Sequence, residues 1–219
     1  ISFGSDTRVL DIGCGIGGPA RYLATAFGCR VTGIDLTADF IEAARLLTEK
    51  LGLQKLVDFE CADATKLPYN SATFDVVWSQ NVTMNIQDRP GFYAGVTRVL
   101  RSGGVLTLTE MCQGPNGIPD YPLTWARDPS YSFLATPEQT RKQVEAAGFH
   151  ITEWREASES RADGARAKAP SKSVGSAQTN PLTIELIRGN DYSTRRANSS
   201  RCVLEGRLVP ILLVAERLN

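Results

Sequence analysis

The amino-acid sequence predicts an α/β fold, a doubly wound and mostly parallel sheet with helices on both faces. Three observations carry this expectation. Short β-branched runs alternate with helical patterns from Arg8 to about Phe149, a glycine turn leads from the first run into a helix, and acidic residues stand at the ends of the first three runs. The predicted strands are residues 8–12, 30–34, 57–61, 74–78 and 105–109, each followed by a turn signal or polar loop. Between them, Phe40, Ile41, Ala44, Leu47 and Leu51 recur at helical spacing behind Thr37, and Asp88 precedes a helix carrying Phe92, Val96, Val99 and Leu100. Thr136-Pro137-Glu138-Gln139 combines a capping box with proline in the first helical turn, and Gly148 marks that helix's end. A sixth strand is expected at 151–157 and a seventh at 211–217. Pro210 has no N–H for a ladder, so the seventh should begin at or after it. Residues 158–200 read as a polar excursion rich in Ser, Ala and Arg, with one helix from near Pro181 through Ile184 and Ile187 and a break at Gly189.

With 219 residues the chain fits a single domain, 1–219, able to bury one sizeable core. Lys plus Arg and Asp plus Glu balance at 24 each. No global field therefore draws in nucleic acid or an anionic membrane, and neither is an expected partner. The longest apolar stretch, 210–215, is far too short to cross a bilayer. Five scattered cysteines without a C-x-x-C pair argue against a disulfide framework or structural zinc, so no metal and a reducing cytoplasm are expected. The first residue is Ile1, from which a preceding N-terminal segment is expected.

The strongest chemical signal is Val9-Leu10-Asp11-Ile12-Gly13-Cys14-Gly15-Ile16-Gly17-Gly18, a strand entering a glycine turn where backbone can approach a ligand closely. Gly13-x-Gly15-x-x-Gly18 with Asp35 after the next strand also satisfies the dinucleotide fingerprint. Asp11 separates the two readings. A carboxylate beside the turn disfavours a pyrophosphate and favours the positively charged ammonium and sulfonium of S-adenosylmethionine (SAM). Asp35 is placed to accept from ribose hydroxyls, and Asp63-Ala64 can offer a carboxylate to an adenine amine and a backbone amide to its ring.

These ordered motifs make the chain resemble the Rossmann-type SAM-dependent methyltransferases over roughly residues 8–149. Val9 to Gly18 is similar to the family's first motif, Gly33-Ile34-Asp35-Leu36 to the second, and Ala62-Asp63-Ala64 with Leu67-Pro68 to the third. Phe74 to Gln80 resembles its fourth strand, and Val99 to Leu106 its turn into the fifth. The resemblance implies seven strands in the order 3-2-1-4-5-7-6 with the seventh antiparallel. It also implies that Gly13 and Gly15 pass under the cofactor, Asp35 holds its ribose, Leu36 packs on adenine, Asp63 and Ala64 flank the base, and Ser79 lies near the methionine end.

The chain lacks the Asn/Asp-Pro-Pro-Tyr/Phe and Pro-Cys motifs that nucleic-acid-modifying members carry after the fourth strand, where it reads Ser79-Gln80-Asn81-Val82. A small-molecule acceptor is expected. Trp78 to Asn81 and the Glu110 to Trp125 loop resemble the group containing sarcosine/dimethylglycine and tocopherol methyltransferases. Asn81, Tyr121 and Trp125 are the candidate acceptor-binding residues, and 111–135 and 158–200 the candidate lids, the latter bringing Arg195, Arg196 and Arg201 toward a substrate carboxylate or simply presenting a solvated face. No general base is identified. His150, the only histidine, sits at the start of the sixth strand and reads as structural, while Glu110 and Asp88 remain candidates for assisting a hydroxyl or carbon acceptor. Methyl transfer to an amine nitrogen is the leading expectation. Oxygen or carbon transfer, an NAD-dependent oxidoreductase and a non-catalytic SAM-binding protein are the alternatives.

Overall fold

In the computed structural model, residues 3–156 and 189–218 are described. Among these residues the segments of regular structure are, in order, β1 (Arg8–Ile12), α1 (Gly18–Phe27), β2 (Arg30–Asp35), α2 (Ala38–Lys50), β3 (Val57–Cys61), β4 (Phe74–Gln80), a 3₁₀ turn (Thr83–Asn85), α3 (Arg89–Val99), β5 (Leu100–Gln113), a second 3₁₀ turn (Pro129–Tyr131), α4 (Pro137–Ala146), β6 (Phe149–Glu156), α5 (Tyr192–Leu204) and β7 (Leu208–Arg217). The strands form one sheet ordered β3-β2-β1-β4-β5-β7-β6. The first five pair in parallel, and β7 runs antiparallel to both β5 and β6. The fold expected from the sequence is the fold observed.

Because successive side chains of a strand point to opposite faces, β1 and β4 each serve two cores. Val9 and Val76 pack with Ala20, Leu23 and Ala24 of α1 and Ile41 and Ala44 of α2. Leu10, Ile12 and Val77 pack on the other face with Phe92, Val96 and Val99 of α3. The helix ends follow their capping chemistry. Asp88 Oδ1 accepts from the Gly91 N–H at 2.9 Å, and Thr136 and Gln139 exchange the two hydrogen bonds of a capping box at 2.9 and 3.1 Å.

Four expectations need correction. Leu47 and Leu51 are 39% and 63% exposed, and Thr48 takes the inward position on α2 because its hydroxyl accepts from the Arg21 guanidinium at 3.3 Å. Thr37 occupies the cap position of α2 without a side-chain cap; its own N–H instead donates to Asp35 Oδ1. The seventh strand begins at Leu208 and includes Pro210, which lies opposite Met111 of β5, while among the described residues the pairing with β6 reaches only Ile211. Finally, the polar stretch contains α5, which is anchored through Cys202 against Leu123 and Leu208. Arg195 on this helix is buried against Asp191 rather than solvated. The helix expected near Pro181 to Ile187 lies outside the described residues. Among the described residues, no helix is long and apolar enough to cross a membrane.

Candidate functional site

The chain reverses at the carboxyl end of β1 on a turn whose conformation only glycine adopts without strain. Gly13 and Gly15 have φ of +73° and +54°, and a Cβ on Gly13 would meet Val82 Cγ2 at 2.2 Å. The turn is tied to β2 by three donors. The N–H groups of Gly13 and Cys14 donate to the Ile34 carbonyl at 2.8 and 2.9 Å, and that of Gly15 donates to Asp35 Oδ2 at 3.0 Å. A Cβ on Gly15 would meet no atom within 4 Å, so the turn presents bare backbone to open space.

That space is a cleft of about 940 Å³ beyond the carboxyl ends of the parallel strands, where ligands of open α/β sheets bind. Asp11, Gly13, Gly15, Asp35, Leu36, Asp63 and Ala64 all line it, as do Asn81 and Trp125. Asp11 is 2% exposed and lines the cleft, and its Oδ2 is buried without a hydrogen-bond partner. Burial, and secondarily the Asp35 carboxylate, push the Asp11 carboxyl up to about 7. A buried carboxylate oxygen without a donor is costly unless a ligand supplies one. Asp63 differs. Its Oδ1 accepts from the Thr65 N–H and hydroxyl at 2.8 and 2.7 Å, which hold its carboxyl below the usual carboxylate range.

The other half of the cleft is formed by the segment after β4. Asn81 adopts φ +58°, a left-handed conformation that Asn tolerates better than most residues, and its N–H donates to the Thr109 carbonyl at 2.7 Å. Thr83 in the following 3₁₀ turn donates its hydroxyl to Glu110. Glu110 is 1% exposed and also receives both Arg89 terminal nitrogens, at 3.0 and 3.1 Å. Arg89 Nε donates to Gln143 and Nη2 to Thr140, so this buried ion pair pins the segment to α4 as well as β5. Trp125 closes the wall, its indole N–H donating to Ser132 Oγ at 3.0 Å, and the neighbouring Thr124 N–H donates to Ser199 Oγ of α5 at 3.1 Å.

Some expected site residues stand elsewhere. Ser79 is buried in the sheet and its hydroxyl donates to the Ile12 carbonyl, because it faces β1 rather than the strand end. Tyr121 packs beside Leu123 and Cys202 beneath α5 and does not reach the cleft. Of the two carboxylates considered for base assistance, Asp88 lines the cleft while Glu110 is consumed by Arg89 and Thr83. Arg201 pairs with Asp120, and His150 lies exposed on β6 outside the cleft. Sequence reasoning also missed Phe40, Met84, Met111 and Tyr192, all on the lining. Phe40 had a signal at the first turn of α2 but was read as core. Tyr192 had none, since only the packing of α5 against the 114–135 segment brings it to the cleft. Among the described residues no cluster of potential metal ligands occurs.

Residues 10–108 match the family model of a methyltransferase domain. The chain is 42% identical over 108 residues to phosphoethanolamine N-methyltransferase 3 of Arabidopsis thaliana, a match covering 49% of this chain and 22% of that protein. It is 37% identical over 118 residues to the sarcosine/dimethylglycine N-methyltransferase of Halorhodospira halochloris, covering 52% of this chain and 42% of that protein. The matches thus span less than half the length of these relatives. Among solved structures, phosphoethanolamine N-methyltransferase 2 of Haemonchus contortus, in complex with SAM, superimposes with a TM-score of 0.77 at 20% identity, covering 100% of this chain and 50% of that one. The 4+2 cyclase SpnF superimposes with a TM-score of 0.73 at 26% identity, covering 100% of this chain and 77% of that one.

Proposed function

We propose that this chain, whose residues 10–108 match a methyltransferase domain model on a sheet of order β3-β2-β1-β4-β5-β7-β6, is an enzyme that transfers a methyl group from SAM to a small-molecule acceptor, an amine nitrogen. One observation carries the choice of cofactor: the buried carboxyl of Asp11, which lines the cleft beside a glycine turn and has an oxygen without a hydrogen-bond partner. It suits the ammonium or sulfonium of SAM and opposes the pyrophosphate of a dinucleotide, which weighs against the NAD-dependent reading.

In this reading Gly13 and Gly15 pass beneath the cofactor, the Asp35 carboxylate takes the ribose hydroxyls while keeping its two backbone donors, and Asp63, Ala64 and Leu36 surround the adenine. When bound, SAM supplies a methyl carbon on a positively charged sulfur, so the acceptor's lone pair forms the new bond while sulfur keeps the electrons of the bond that breaks. Everything else is the protein's task. Asn81, Trp125 and the wall formed by residues 80–88 orient the acceptor and exclude water, and positioning of this kind provides much of the rate for such a displacement. The amine attacks through its neutral form, and Asp88 is the carboxylate on that side able to take the proton from an acceptor that arrives as an ammonium, and later the one released after transfer. We read the chain as one catalytic domain working in the cytoplasm, with neither nucleic acid nor membrane as a partner.

The test pairs cofactor binding with product analysis. S-adenosylhomocysteine at about 100 times its dissociation constant should stabilise the protein by roughly 2.7 kcal/mol, and NADH should not. Incubation with SAM and a panel of amines, phenols and quinols should yield a product heavier by one CH₂ unit on nitrogen. Stabilisation by NADH alone refutes the cofactor assignment. Binding of S-adenosylhomocysteine without any methylated product supports instead a non-methylating use of the same fold, as in the structurally similar cyclase.

A further inference from the structure

The charges around the cleft narrow the acceptor. Four carboxylates line it, Asp11, Asp35 and Asp63 on one side and Asp88 on the other, and among the described residues no Lys or Arg does. Of the described arginines around the acceptor half, Arg89, Arg127, Arg195 and Arg201 pair with carboxylates, and Arg196 lines a separate groove with Tyr192 and Ser200. Arg89, next to Asp88 in sequence, turns into the core and grips Glu110 with two nitrogens. Arg127 and Arg195 both pair with Asp191, and Arg201 pairs with Asp120. Among the described residues, the rest of the acceptor wall is apolar or uncharged: Trp125, Tyr192, Met84 and Met111 beside Asn81 and Gln87.

Tight recognition of a phosphate or carboxylate calls for a planar bidentate arginine or a comparable cation. This wall offers the opposite sign. We propose that the acceptor is an amine carrying neither phosphate nor carboxylate, with an apolar body, attracted as an ammonium by the acidic cleft and by the faces of Trp125 and Tyr192. The acceptor class therefore differs from the phosphoethanolamine and sarcosine for which the two relatives are named. This inference rests on the methyltransferase reading above and deepens it.

Calorimetric titration into protein saturated with S-adenosylhomocysteine tests the inference separately from its premise. The probes are 2-phenylethylamine, ethanolamine, phosphoethanolamine and sarcosine. Like-charge juxtaposition costs enough that phenylethylamine should bind on the order of 100-fold more tightly than phosphoethanolamine or sarcosine. Gln87→Arg, which adds a cation to the wall, should improve phosphoethanolamine binding and weaken that of phenylethylamine. Binding of phosphoethanolamine or sarcosine as tight as that of phenylethylamine overturns the proposal, as does a protein that binds S-adenosylhomocysteine but none of the uncomplicated amines. Failure of S-adenosylhomocysteine itself to bind overturns the cofactor assignment instead.

Discussion

Asp11→Asn should make the protein more stable at neutral pH and worse at its task. The side chain is 2% exposed with an unpartnered oxygen, and burial followed by Asp35 raises its carboxyl from 3.8 to about 7. A carboxyl whose folded pKa is raised destabilises the fold as pH increases. The unfolded chain loses its proton near pH 3.8 while the folded one keeps it, so stability falls between about pH 4 and pH 7 and then levels off. A rise from 3.8 to about 7 corresponds to roughly 4 kcal/mol at pH 8, of which less than half is already present at pH 5. The amide has the same shape and no charge. Asp11→Asn should therefore gain roughly 2 to 3 kcal/mol more at pH 8 than at pH 5, or on the order of 5 to 10 °C in Tm for a chain of this size. Scanning calorimetry of both proteins at the two pH values reads this difference directly, and any cost common to both conditions cancels. The same shift predicts proton release on cofactor binding, because a cation beside Asp11 lowers its pKa. Affinity for SAM in the unmodified protein should rise from pH 5.5 to about 7, and Asp11→Asn should bind more weakly with a flatter profile. Equal changes in Tm at both pH values, or a flat affinity profile in the unmodified protein, would refute both the buried-charge account and the placing of the cofactor cation at Asp11.

Two further substitutions probe the scaffold of the cleft. Glu110→Gln leaves the Arg89 guanidinium buried without its counter-charge, which should cost about 3 kcal/mol or more and lower Tm on the order of 10 °C; an unchanged melting curve would show that the pair is not what pins the segment after β4. Asp35→Ala strips the acceptor from the Gly15 and Thr37 N–H groups and should weaken S-adenosylhomocysteine binding by about 10- to 100-fold while also lowering Tm. Calorimetric binding that is unaffected by this change would contradict a cofactor seated on the glycine turn.

Much of the fold and half of the cleft were legible because their causes are local. A parallel strand buried on both faces needs a β-branched run, a left-handed turn needs glycine, and a helix start needs a cap, so β1 to β4, the turn at Gly13 to Gly17 and the ends of α3 and α4 can be read from short windows. The acids at successive strand ends also come together through topology alone, since parallel β-α units bring their carboxyl ends to one edge. Asp11, Asp35 and Asp63 needed nothing more to share a cleft. The other half, formed by the segment after β4 and by Trp125, depends on contacts between segments far apart in the chain. Thr83 and Arg89 meet Glu110, Thr124 meets Ser199, and Tyr121 turns toward Cys202 while Trp125 remains on the wall. Nothing in the spacing of Tyr121 and Trp125 says which aromatic faces a ligand and which fills a satellite core, because both bury apolar area equally well. The same holds for charge. Sequence counts 24 acids against 24 bases, and only the tertiary structure, which pairs Arg89 with Glu110, Arg195 with Asp191 and Arg201 with Asp120, leaves acids as the charged groups on the lining among the described residues.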